Sequence, residues 1–223
     1  MKSFYYLLLI CCFSLTKSNS QETIKKNSNQ KFTFGLNAGA HYSYLGGDSG
    51  YKDYYNKNTI NYLAGVNAEL KINKCWSVYT NLDYKKKSFK SHLVFASGGG
   101  GPLEVENQLV YTYIDLPIMA KYRVKNSFMY FTGGIYLAKL LTAKVFVDSN
   151  SSVQDLRDST EDIDNGIILG GGFIFYENEK ETSNMSIEVR YTHGISGIIR
   201  QSEGQGSTLL NSYSLQLNYN FTL

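Results

Sequence analysis

Nine charged side chains fall at even spacing on segments that otherwise read as apolar walls. They are Glu69 and Lys71, Asp83 and Lys85, Asp115, Lys121 and Arg123, and Glu188 and Arg190. Two residues apart is one face of an extended chain. Acids and bases sharing an inward face form an ion-pair and hydrogen-bond network, because isolated buried charges are very costly. The functional alternative is a path for protons or ions.

Other residues capable of chemistry lead less far. His193-Gly194-Ile195-Ser196 places a histidine and a serine close to Glu188. A serine–histidine nucleophile needs a third group to orient the base. In an extended strand Glu188 and His193 have opposite parity, so the set does not assemble, and no catalytic residue is assigned. Three histidines, and Cys75 as the one cysteine beyond the leader, show no metal-ligand spacing. No metal site and no cofactor is expected. Gly98–Gly101 lacks the lysine and following helix of a phosphate loop. Lys85, Lys86, Lys87 and Lys90 cluster at the end of a strand. Two readings of them stand: a solvated rim, or attraction to anionic head groups and lipopolysaccharide phosphates. No binding residue is assigned.

The elements that carry these residues are strands. Leu109–Arg123 alternates over about fifteen residues, with Val110, Thr112, Ile114, Leu116, Ile118, Ala120 and Tyr122 on one face and all its charges on the other. That exceeds the usual soluble strand of about 5–6 residues. The same period marks Lys31–Tyr44, Thr59–Ile72, Cys75–Ser88, Asn184–His193 and Thr208–Leu223; Phe128–Val145, with Gly133-Gly134 inside it, reads as a strand of weaker parity, and Gly166–Tyr176 as a strand crowded with Gly170–Gly172. The connections alternate between long and short. Leu45–Asn58, Phe89–Gln108, Phe146–Asn165 and Gly194–Ser207 read as long loops. Asn73-Lys74, Lys125-Asn126 and Glu177–Ser183 read as tight turns.

An even number of strands with short turns at one end and long loops at the other is the pattern of an outer-membrane barrel. The expected fold is all-β, an eight-stranded antiparallel up-and-down transmembrane β-barrel. Trp76 and Tyr84 share a face eight positions apart. At about 3.3 Å per residue and a tilt near 40° they stand roughly 20 Å apart in height, close to an apolar band of about 25 Å. A soluble barrel would put its charged face in water, and a water-facing surface would carry more charge than the Gly/Ser/Asn-rich face present here.

Residues 1–20 read as a cleaved signal peptide, with Lys2 ahead of the apolar run Phe4–Leu15 and Ser18-Asn19-Ser20 before the cut. Cys11 and Cys12 raise a lipoprotein alternative, but neither follows a small residue. Residues 21–30 are polar and read as a flexible periplasmic lead-in, and 31–223 as the barrel domain. Of 22 Lys+Arg and 19 Asp+Glu, the leader removes Lys2 and Lys17, leaving 20 against 19 and a net charge of +1. No basic field points to nucleic acid. A single mature cysteine rules out an internal disulfide.

Tyr113-Ile114-Asp115-Leu116-Pro117 with Lys121-Tyr122, the run Phe128–Tyr136 with its Gly-Gly pair, Asp164-Asn165-Gly166, and Tyr191-Thr192-His193-Gly194 together resemble the PorT-like outer-membrane β-barrel family. The resemblance covers Lys31 to Leu223. It implies an integral outer-membrane barrel and supplies no catalytic residues. One branch of that family serves a secretion system that exports proteins across the outer membrane. Two functions are therefore expected to compete. The first is a non-enzymatic anchor or binding scaffold acting through its external loops. The second is a component of a secretion or transport assembly, with a lipid-modifying enzyme a remote third. The expected surroundings are outer-membrane lipid and lipopolysaccharide, with an envelope protein as partner. Loop residues of interest are Tyr42, Tyr44, Tyr51, Tyr54 and Tyr55 around the first loop. In the third they are Asp148, Asp155, Asp158, Glu161, Asp162 and Asp164, with Arg157 as its one cation.

Overall fold

The computed structural model describes residues 32–47, 55, 57–95, 103–147, 152–179, 182–199 and 207–222. The signal, the lead-in, Tyr51, Tyr54, Asp148 and Gly98–Gly101 lie outside them. In chain order the strands are β1 (Phe32–Gly47), β2 (Lys57–Asn58), β3 (Ile60–Lys71), β4 (Trp76–Phe95), β5 (Leu103–Arg123), β6 (Met129–Val147), β7 (Ser152–Asp155), β8 (Ile163–Glu177), β9 (Ser183–Gly194) and β10 (Thr208–Thr222). A 3-10 turn, Arg157–Ser159, follows β7.

Among the described residues, eight long strands close a ring. Each pairs antiparallel with its neighbours in the order β1, β3, β4, β5, β6, β8, β9, β10, and β10 returns to β1 from Thr33↔Thr222 to Gly47↔Thr208. Closure leaves the wall no edge to satisfy in lipid. β2 continues β3 along β4, and β7 adds to the upper part of β6. No helix among the described residues is long and apolar enough to cross a membrane; the crossing is made by strands.

Parity behaves as the alternation requires. Leu36, Val66, Leu82, Ile118, Ile135, Leu169 and Leu217 are exposed on the outer wall, and Asn37, Asn67, Asp83, Glu188 and Gln216 are enclosed. Aromatic pairs mark the two ends of the apolar band. At the short-turn end Trp76 packs on Tyr122 at 4.9 Å and Phe128 on Phe173 at 6.0 Å. At the other end Tyr213 contacts Tyr191 at 5.0 Å and Tyr44 at 6.1 Å. Asparagines organise all three short turns. Asn73 Oδ1 accepts from the backbone N–H of Cys75 and Trp76, and Asn178 Oδ1 from Thr182 and Ser183. Asn126 takes φ 55°, a left-handed conformation its short polar side chain tolerates.

Two expected loops are partly strand. Phe89–Phe95 pairs with Leu103–Leu109 as a hairpin that outgrows the barrel, and β6 runs to Val147 with β7 beside it. Above the bilayer no lipid-facing apolar row is needed, and in Leu103–Leu109 the parity that is apolar from Val110 to Tyr122 carries Glu104, Glu106 and Gln108 instead.

Candidate functional site

The enclosed charges sit in four clusters stacked up the lumen. Nearest the short turns, Lys121 Nζ donates to Glu69 Oε2 at 2.7 Å, Ser77 Oγ donates to Glu69 Oε1 at 2.7 Å, and the ammonium lies 4.3 Å from the Tyr130 ring centre. Next, Arg190 donates to Glu188 through Nε and Nη2 at 2.8 and 2.9 Å. Thr132 and Tyr130 donate to the same carboxylate at 2.8 and 3.2 Å. Above these, Lys85 donates to Asp115, and Asn37 Nδ2 donates to Asp83 Oδ1 at 2.7 Å. In the fourth, Lys87 donates to Asp164 Oδ2 at 3.2 Å and Tyr136 OH to Asp164 Oδ1 at 3.2 Å. Each pairing offsets a desolvation cost that neither charge could bear alone.

The inward network expected from sequence is therefore present: Glu69, Asp83, Lys85, Asp115, Lys121, Glu188 and Arg190 are all enclosed. Lys71 and Arg123 share the inward parity but lie half-buried at the short-turn end, where Arg123 grips Glu177 through two hydrogen bonds of 3.0 and 2.7 Å. Glu177 is the last residue of β8, four positions past Phe173 at the short-turn rim. Its hydrogen bonds hold the Glu177 carboxyl below the usual carboxylate range.

Several expectations need correction. Lys85 and Lys87 do not form a solvated or lipid-facing rim; both turn into the lumen and pair there, leaving Lys86 and Lys90 half-buried on the opposite parity. Asp164 does not belong to the third loop. It opens β8 and points inward to Lys87, a residue 77 positions away. Tyr55 and Leu45, expected in the first loop, are buried in an apolar cluster with Phe89, Leu109, Tyr111, Leu140, Val145 and Leu210. The same strand ends also bury the polar side chains Ser43, Ser88, Ser91 and Asn107. Asp155 and Asp158 remain exposed near β7, and Asp162 pairs with Lys139 at 2.7 Å.

Glu188 faces the lumen, whereas His193 lies on the outer parity, stacked on Tyr191. Ser196 Oγ accepts from the backbone N–H of Asn165 at 3.1 Å. These three side chains are not brought together.

A polar, ion-paired lumen inside an apolar, aromatic-girdled, closed wall is a membrane-spanning barrel. The model of the outer membrane protein beta-barrel domain matches residues 17–200. The chain belongs to this family. As an outer membrane protein beta-barrel it lies in the cell outer membrane. No curated protein matches the chain. Among solved structures it is similar to Ail, the attachment invasion locus protein of Yersinia pestis, solved in complex with the heparin analogue sucrose octasulfate. The two share 14% identity over 86% of this chain and 99% of that one, with a TM-score of 0.41. It is also similar to Neisserial surface protein A (13% identity, 84% and 96% covered, TM-score 0.44) and to OprG from Pseudomonas aeruginosa (12%, 87% and 96%, 0.41). At these identities the likeness concerns the fold alone.

Proposed function

We propose that this barrel is a non-enzymatic outer-membrane anchor that presents its external segments as a binding scaffold. The observation that carries this reading is the uneven height of the wall. β4, β5 and β6 hold 20, 21 and 19 residues, whereas β3 and β9 hold 12 each. Crossing the bilayer takes about 9–11 residues. The surplus, at about 3.3 Å per residue and a tilt near 40°, raises a ribbon roughly 20 Å above the shorter strands. Such a ribbon adds nothing to closure of the wall, and β7 widens it with Val153 exposed. The bilayer's lipid and lipopolysaccharide surround the wall, and an envelope protein is the partner suited to the ribbon.

A second reading, a component of an outer-membrane secretion or transport assembly, draws support from the PorT-like pattern at Tyr113–Pro117 and Phe128–Tyr136. One experiment separates them: in-cell crosslinking and pull-down of the parent and of a form in which β4 and β5 are joined by a tight turn just past the paired Phe89 and Leu109. A partner lost with the ribbon supports the scaffold. A stoichiometric complex that survives its removal supports the assembly component. If neither partner nor envelope phenotype changes, the ribbon is dispensable and the scaffold reading fails. We further propose that residues 1–20 are removed on export, so that mass spectrometry of the outer-membrane form finds Gln21 as the first residue.

A further inference from the structure

One enclosed carboxylate has no cation of its own. Among the described residues the buried charges are Glu69, Asp83, Asp115, Asp164 and Glu188 against Lys85, Lys87, Lys121 and Arg190. Glu69 holds Lys121, Asp164 holds Lys87, Glu188 holds Arg190 and Asp115 holds Lys85. Asp83 is left sharing Lys85 at 3.9 Å, and its Oδ2 has no hydrogen-bond partner. His41 does not make up the difference; its ring hydrogen-bonds Ser43 rather than a carboxylate. A wholly enclosed carboxylate, 0% exposed in this case, is costly without a counter-charge.

The wall around Asp83 is built of amides and glycines in register. One row runs Asn220, Gly35, Asn67, Asn81 across β10, β1, β3 and β4; the next runs Asn218, Asn37, Gly65, Asp83. Amide and carboxylate oxygens lie directly over the glycines. A methyl group on Gly35 would lie 2.4 Å from Asn220 Oδ1 and 2.7 Å from Asn67 Oδ1, and one on Gly65 would lie 2.4 Å from Asp83 Oδ1. In these two rows five oxygens have no hydrogen-bond partner: Asn37 Oδ1, Asn67 Oδ1, Asn218 Oδ1, Asn220 Oδ1 and Asp83 Oδ2. The Asn37 amide has only one sensible orientation, because its Nδ2 donates to a carboxylate that can only accept. The unpaired nitrogens of the two rows are fewer, Asn67 Nδ2 and Asn81 Nδ2. Buried polar atoms nearly always have partners. Water would satisfy the amides, but not the charge.

We propose that these two rows bind one monovalent cation of the sodium class, held by the Asp83 carboxylate and amide oxygens led by Asn37. Hard cations take oxygen ligands, and a divalent ion would call for more than the single spare carboxylate present. Histidine and cysteine spacing, on which the sequence reading expected no metal, cannot reveal a site made of amides.

The test uses the full barrel in detergent micelles. The unfolding midpoint is followed in sodium chloride and in N-methyl-D-glucamine chloride at equal ionic strength. A ligand that binds only the folded state raises the midpoint saturably. The parent should show that rise with sodium, Asp83→Asn should lose it, and the rim variant Glu177→Gln should keep it. Equal midpoints in the two salts would overturn the proposal, as would an undiminished sodium response in Asp83→Asn. Should Asp83→Asn fail to fold, equilibrium dialysis of the parent against radioactive sodium decides: about one retained equivalent supports the site, and none refutes it.

Discussion

Lys85 donates to Asp115 across the β4–β5 seam while its ammonium also lies 3.9 Å from Asp83. Lys121 and Arg123, the partners that proximity along the strand suggests for Asp115, are engaged by Glu69 and Glu177 instead. Replacing Asp115 with leucine therefore strands Lys85, not Lys121. Removing one member of a buried pair costs about 3–5 kcal/mol. The loss in Asp115→Leu should fall below that range, because Asp83 is there to take up the ammonium. Urea unfolding of the barrel in micelles measures it. A larger loss in Asp83→Leu than in Asp115→Leu would show that Asp83 is the main partner.

At the periplasmic rim the bidentate Arg123–Glu177 pair predicts a pH dependence. The folded carboxyl is held below its ordinary value, chiefly by its hydrogen bonds to Arg123. Its contribution is then fully present above the unfolded value of about 4.3 and is lost as pH falls through the lower folded value. Both side chains are partly solvated, so the contribution is about 1 kcal/mol or less. Glu177→Gln should be less stable than the parent at pH 7, with the gap closing below about pH 4. A gap that stays constant down to pH 3 would assign the pair no electrostatic part in stability.

The glycine run of β8 makes room for a tyrosine. Tyr130 and Gly172 are in register, and a methyl group on Gly172 would fall 2.2 Å from the ring's Cζ and 2.4 Å from its hydroxyl. Gly172→Ala should push the ring off Ser186 and Glu188, to which it donates at 3.1 and 3.2 Å. Overpacking of this kind costs about 1–3 kcal/mol. In a Tyr130→Leu background the same substitution should cost little, because the atoms it meets are gone. Strict additivity of the two losses in a double-mutant cycle would show that the contact carries no energy.

The sequence makes the wall legible because lipid on one face and packed polar groups on the other enforce a period of two on every strand. Trp76, Leu82, Ile118 and Leu217 all point where their parity places them. Parity says which way a side chain faces, not what it meets. Lys87 and Asp164 belong to β4 and β8, separated around the ring by β5 and β6, and their meeting depends on closure. Asp164 was further hidden by the acidic stretch preceding it. At the tall end of β5 the alternation inverts, with Glu104, Glu106 and Gln108 on the parity that is apolar below, because nothing there faces lipid. Tyr55 and Leu45 look like loop residues because they lie in a stretch rich in Gly, Asp and Asn, although both are buried in one apolar cluster.

The outer wall supplies the sharpest test of the membrane assignment. Leu217 stands between Tyr213 and Tyr219 on β10, is 47% exposed, and has Gln216 and Asn218 beside it facing inward. If hydrocarbon covers it, an arginine there must leave water on folding. At mid-depth that costs about 2–4 kcal/mol. If water covers it, Leu217→Arg is an ordinary surface change, within about 0.5 kcal/mol of neutral. Folding into phospholipid vesicles with a urea titration separates the two. We expect Leu217→Arg to lose stability in the larger range. Moving the arginine along the same face to Phe221, at the short-turn girdle, should reduce the loss, because the penalty falls towards the interface. A Leu217→Arg barrel as stable as the parent would place this face in water and overturn the assignment.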